Sequence, residues 1–184
     1  MASELKNLIG RVAGKTAPVF ATKILFKRKL GYRLNLSDPR TLNEKMQYLK
    51  LTQYCHDPLV TRCVDKVEVR SFVRERIGEK YLTQLYGVWN SPEEIDFAAL
   101  PERFALKCNH ASGANVICAD KSRLDREEVC SRLRHWMKTP FGSSRVELIY
   151  DAIPRRIFCE EKANFYLLCR ARTFVPPAYE NTCR

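Results

Sequence analysis

The chain has 184 residues and a mass of 21.4 kDa, with 45% apolar and 29% charged residues. That suffices for one ordinary domain, or two small subdomains, around a hydrophobic core, and it excludes disulfide-stapled miniproteins, collagen-like chains and disordered ones. The formal charge of +11 is regional: residues 1–50 hold eleven Lys and Arg against three acids, residues 51–161 balance at seventeen of each, and residues 162–184 hold four bases and one acid.

The longest apolar runs, Ala17 to Ala21 and Phe165 to Cys169, are five residues, too short for a secretory core or a membrane span. A cytoplasmic protein is expected. In that compartment the eight cysteines stay reduced. With no Cys-x-x-Cys pair, Cys108, His110 and Cys118 make a weaker case as metal ligands than the thiols do as small apolar residues.

Leu5, Leu8, Ile9 and Val12 follow the i, i+3, i+4, i+7 spacing of one helical face, which Pro18 interrupts. With Lys27, Arg28 and Lys29 beside Phe26 and Leu30, this basic arm suits an anionic partner, whether nucleic acid, an acidic membrane surface or a polyanionic substrate, or equally a solvated helix face. No specific nucleic-acid module is recognisable in it. Gly10, Gly14, Lys15 and Thr16 spell a phosphate loop one residue too short. Only nine residues precede it, and they read as helix where a buried strand is needed, so it is rejected.

Thr41 and Glu44 form a capping box for a helix running to about Gln53. Asp57-Pro58 opens a second helix that Gly78 closes. Tyr81 to Trp89 reads as a strand, as do Phe104 to Lys107 and Asn115 to Cys118. Ser122 caps a helix through Lys138, and Ile157 to Cys159 forms a strand running into Glu160 and Glu161.

The stretch Cys108-Asn109-His110-Ala111-Ser112-Gly113-Ala114 is the most informative. A lysine closing an apolar strand, followed by a small polar loop, can aim one cation and several backbone amides at a polyphosphate. Spacing alone would fit any polar hairpin.

These stretches together resemble the TupA-like ATP-grasp family, associated with teichuronopeptide, capsule and related cell-surface polysaccharide synthesis. The ordered motifs are Asn35-Leu36, Asp38 to Lys45, Asp65-Lys66 with Val69-Arg70, Ile77 to Leu82, Glu94 to Phe97, Leu100-Pro101, Phe104 to His110, Ser112-Gly113 and Ile157 to Glu161. The resemblance implies an α+β fold: a basic helical region over residues 1–55, the N-terminal part of an ATP-grasp fold over 56–161, and a divergent tail over 162–184. It implies ATP and Mg2+ as cofactors, and activation of a carboxylate as an acyl phosphate that an amine attacks. Lys66 and Lys107 would bind nucleotide phosphates, Ser112 and Gly113 would cover them, His110 could donate to phosphate, and Glu160 and Glu161 would lead into the adenine-binding hinge. Read without the resemblance, Lys66 is a surface ion-pair residue in a charged helix.

Residues 162–184 do not resemble the family's continuation, and their one acid, Glu180, cannot supply the paired magnesium carboxylates of the second subdomain. The expectation is therefore a truncated or frame-shifted chain, with a divergent but genuine terminus as the alternative, and in either case no catalysis by this chain alone. Two alternatives stand beside it: a glycosyltransferase-associated biosynthetic protein, which an Asp-x-Asp motif would have supported, and a non-catalytic module binding polyanions or a membrane surface.

Overall fold

The computed structural model describes residues 14–162. The stripe Leu5, Leu8, Ile9 and Val12 and the tail from residue 163 onward lie outside the described residues. Helix α1 spans Pro18–Leu30. Pro18, expected to interrupt a helix, begins one instead, because a proline in the first turn lacks only an N–H that has no helical partner there. Helix α2, Leu42–Thr52, opens on the anticipated capping box: Thr41 Oγ1 accepts from Glu44 N–H, and Glu44 Oε2 accepts from Thr41 N–H at 3.0 Å.

The single helix expected from Pro58 to Gly78 is two, α3 over Pro58–Val64 and α4 over Glu68–Ile77. Asp65 breaks it. Its backbone is extended (φ −68°, ψ 114°), and its Oδ1 accepts from Val67 N–H at 2.8 Å and Glu68 N–H at 3.3 Å, satisfying the amides that open α4. A turn over Glu79–Tyr81 follows, so strand β1 is shorter than expected, Leu85–Trp89.

Strands β2 (Phe104–Cys108) and β3 (Asn115–Cys118) form the anticipated hairpin. Helix α5 covers Arg126–Lys138 and is capped by Asp125, whose Oδ1 accepts from Glu128 N–H at 2.9 Å. Ser122, expected as the cap, is held by Asp120 through its N–H and its hydroxyl. A short helix α6, Gly142–Arg145, precedes strand β4, Ile157–Glu161.

The four strands form one antiparallel sheet in the order β1-β4-β2-β3, giving the mixed α+β fold expected. Strand alternation assigns its two faces different work. Phe104, Leu106 and Cys108 of β2 and Ile157 and Cys159 of β4 join Val129 and Leu133 of α5 in the buried core. Lys107, Phe158 and Glu160 fall on the opposite face. Lys107 stands opposite Phe158 and Ala105 opposite Glu160, so Lys107 and Glu160 are diagonal neighbours on adjacent strands.

Candidate phosphate-binding cleft

On that second face lies a cleft of about 500 Å³, bounded by the Lys66 turn, α4, the Tyr81–Thr83 segment, the β2–β3 loop and β4. Five of the seven residues anticipated from sequence line it: Lys66, Lys107, Ser112, Gly113 and Glu160. His110 and Glu161 do not. His110 is 1% exposed, its ring between Asn109 Oδ1 and the Trp136 carbonyl, and burial lowers its pKa from the ordinary histidine range. It sits in the protein interior rather than at the cleft. Glu161 is exposed at the strand end, where its N–H donates to the Gln84 carbonyl at 2.8 Å.

Lys66 is not the surface ion-pair residue of a charged helix. It sits at the break between α3 and α4, half-buried, and its ammonium donates to the Cys108 carbonyl at 3.2 Å and to the Ala111 carbonyl. Lys66 thereby ties the α4 side of the cleft to the end of β2 and to the middle of the β2–β3 loop. An ammonium has three donors, so a third stays available for a ligand. Burial pushes Lys66 below the ordinary lysine range and Lys107 adds to that by repulsion, while Asp65 acts in the opposite sense. An added anion would relieve both penalties.

Lys107 donates to Glu160 Oε1 at 2.5 Å. The other oxygen, Oε2, accepts from Arg70 Nη1 at 3.1 Å and from the Thr83 hydroxyl at 2.7 Å. Arg70 also donates to the Thr83 carbonyl and hydroxyl. Three cations, Lys66, Arg70 and Lys107, therefore face one carboxylate, and the cleft is electropositive. Arg70 is the residue that sequence reasoning left without a role. The signal was there, in Val69-Arg70, one helical turn beyond the Asp65-Lys66 pair.

The loop between β2 and β3 closes the cleft. Cys108 N–H donates to the Ala114 carbonyl at 2.9 Å, and Gly113 has φ 80°, a left-handed conformation that a side chain at this position would strain. Ser112 and Gly113 are exposed at the cleft rim, so small residues leave room for a ligand beside the loop backbone.

A buried polar cluster fixes this arrangement from beneath. Asp65, 2% exposed, accepts from Asn109 Nδ2 at 3.0 Å and from Arg156 Nη2 at 2.9 Å besides its two backbone amides. Asn109, fully buried, donates also to the Pro154 carbonyl at 2.8 Å and accepts from Arg156 N–H at 2.8 Å. The residue before Lys66 and the residue two beyond Lys107 are thus hydrogen-bonded to each other. Nothing in the sequence pattern distinguished Arg156, whose partners are 91 and 88 positions away.

Among the described residues, the cleft does not by itself form a site for Mg2+. Its carboxylate, Glu160, is committed to Lys107, Arg70 and Thr83, and among the described residues no group of three or more His, Cys, Asp or Glu could hold a metal ion.

The cleft thus gathers two lysines and an arginine beside a small-residue loop on one face of a mixed sheet-and-helix domain. The TupA-like ATPgrasp family matches residues 44–168, most of the chain, and the chain belongs to that family. It is thus an ATP-grasp-type protein, of a family that binds ATP. No curated protein and no solved structure gives a match.

Proposed function

We infer that the cleft holds the phosphates of ATP, with Lys66 and Lys107 as the cations that contact them, Arg70 adding positive field, and the Ser112-Gly113 loop lying over them. The observation that carries this reading is the convergence of Lys66 and Lys107, 41 positions apart in sequence, on one cleft beside that loop. Phosphoryl transfer relies on positioning and on charge neutralisation, and preorganised ammonium groups in a partly dry cleft supply both. Glu160 would hold Lys107 in place and mark the adenine side of the cleft, with Glu161 beyond it.

The intact reaction in this reading is ATP-dependent joining of a carboxylate to an amine on a cell-surface polysaccharide precursor. In this reading the described residues contact the nucleotide phosphates, and carboxylates for Mg2+ come from outside them. Competition among ATP, ADP, AMP and adenosine for the full chain, followed by calorimetry, tests the assignment. Affinity should fall stepwise as phosphates are removed, because the cations contact phosphate oxygens. Equal affinity for ATP and adenosine would overturn it.

A further inference from the structure

Helix α1 packs against the domain through Ala21, Thr22 and Phe26, and Phe26 meets Tyr32 edge to face at 5.0 Å. Its other side is unusual for a solvated surface. Phe20 is 64% exposed, Ile24 51% and Val19 44%, on adjoining i, i+4 and i, i+1 positions. Lys23, Lys27 and Arg28, all exposed, alternate with them. No Asp or Glu occurs between Glu4 and Asp38, so nothing in this stretch offsets the positive charge.

At the flank of the same helix lies a second cleft, of about 470 Å³, between α1, α2 and the Val146-Glu147 turn. Thr22, Lys29 and Lys50 line it together with Phe26, Leu30 and Glu147. The Thr22 hydroxyl is buried and has no hydrogen-bond partner among the described residues, although Thr22 is only 4% exposed. A buried unpartnered hydroxyl is costly. Burial depresses the pKa of Lys50, Glu147 opposes that, and Lys29 adds to it. The cleft thus offers one unused hydroxyl and two ammonium groups beside hydrocarbon.

That cleft lies on the domain side of α1, whereas the exposed side, basic and apolar together, asks for an anion with an apolar chain beside it. We propose that the exposed face of α1 docks on an anionic phospholipid surface, with Lys23, Lys27 and Arg28 meeting the headgroup phosphates and with Phe20 and Ile24 entering the acyl region. Basic residues supply the long-range attraction to anionic lipid and the apolar side chains supply the short-range insertion. Exposed Phe20 and Ile24 set this surface apart from one built for a soluble polyanion, which would gain nothing from them. The site uses none of the residues of the phosphate cleft, so it stands or falls independently of the nucleotide reading.

The test is co-sedimentation of the full chain with vesicles of equal parts phosphatidylglycerol and phosphatidylcholine, and with phosphatidylcholine alone. The account expects binding to the anionic vesicles only, weakened by added salt. It expects a tenfold or greater loss in the Phe20→Ser, Ile24→Ser double variant and in Lys27→Gln with Arg28→Gln. In Phe20→Trp, brominated acyl chains should quench the emission that the added indole contributes. The surface variants alter exposed positions, and their melting curves report whether the fold persists. No binding by the full chain, equal binding to both vesicles, or binding without quenching in Phe20→Trp would overturn the proposal. Complete displacement by polyuridylate without quenching would reassign the face to a soluble polyanion.

Discussion

Replacing Asp65 with alanine tests whether the buried cluster beneath the cleft holds the fold together. The Asp65 side chain is 3% exposed and accepts four hydrogen bonds, from Val67 N–H, Glu68 N–H, Asn109 Nδ2 and Arg156 Nη2. Bonds to a charged group contribute roughly 1.5–3 kcal/mol each, but these four share one carboxylate and are not additive. Removing one partner of a buried ion pair costs about 3–5 kcal/mol because the other charge stays behind. Here Glu68 still holds Arg156 at 2.7 Å, and Asn109 keeps its bond to the Pro154 carbonyl, which places the loss near the lower end, about 3 kcal/mol. For a domain of this size that corresponds to a fall in Tm of roughly 6–12 °C. Urea unfolding followed by circular dichroism measures it, with Asp65→Asn, which keeps the shape and removes the charge, expected in between. A loss under about 1 kcal/mol in Asp65→Ala would refute the reasoning.

A Cβ on Gly87 would approach the Trp89 ring to 2.4 Å. Gly87→Ala should therefore lower stability by about 1–3 kcal/mol in the same urea assay, and an unchanged midpoint would count against the β1 geometry. His110 has a folded pKa held low by burial, so the unfolded chain takes up its proton first. Its contribution is present above the unfolded histidine pKa, about 6.5, and is lost as pH falls below it; stability curves from pH 5 to 8 for the native chain and His110→Gln should diverge on the acid side only. Cys108 and Cys159 are buried, and desolvation raises their thiols to about 11 and about 12 respectively. Timed alkylation read by peptide mass spectrometry should label exposed Cys63 quickly and leave both unlabelled until the chain unfolds, and rapid labelling of either would contradict the packing.

What local chemistry decides was legible in the sequence. The Thr41 and Glu44 capping box, the β2–β3 hairpin and β4 follow from short-range pattern and appear where expected, as does Gly78 at the end of α4. Misreadings arose where a side chain competes with the backbone or where position changes a residue's meaning. Asp65 stops a helix that periodicity would continue, and Pro18 starts one that periodicity would end. In the site, sequence motifs brought Lys66, Lys107, Ser112, Gly113 and Glu160 to notice, and the fold gathers those five in one cleft. The Asp65-Asn109-Arg156 cluster was beyond sequence reach because its bonds span 44 to 91 positions, and no local pattern encodes such a pairing. His110 lies off the cleft for a related reason: loop membership says nothing about which way a ring faces, and this one points inward.

The central claim is that Lys66 and Lys107 bind nucleotide phosphates in the cleft between α4 and the sheet. Calorimetric titration of the full chain with ATP, with and without Mg2+, beside Lys107→Ala and Lys66→Ala tests it most directly. A hydrogen bond to a charged group contributes about 1.5–3 kcal/mol, so the account predicts a loss of affinity of roughly tenfold or more in each variant, with circular dichroism showing both still folded. Unchanged ATP affinity in both folded variants, or no ATP binding by the folded native chain, would contradict it.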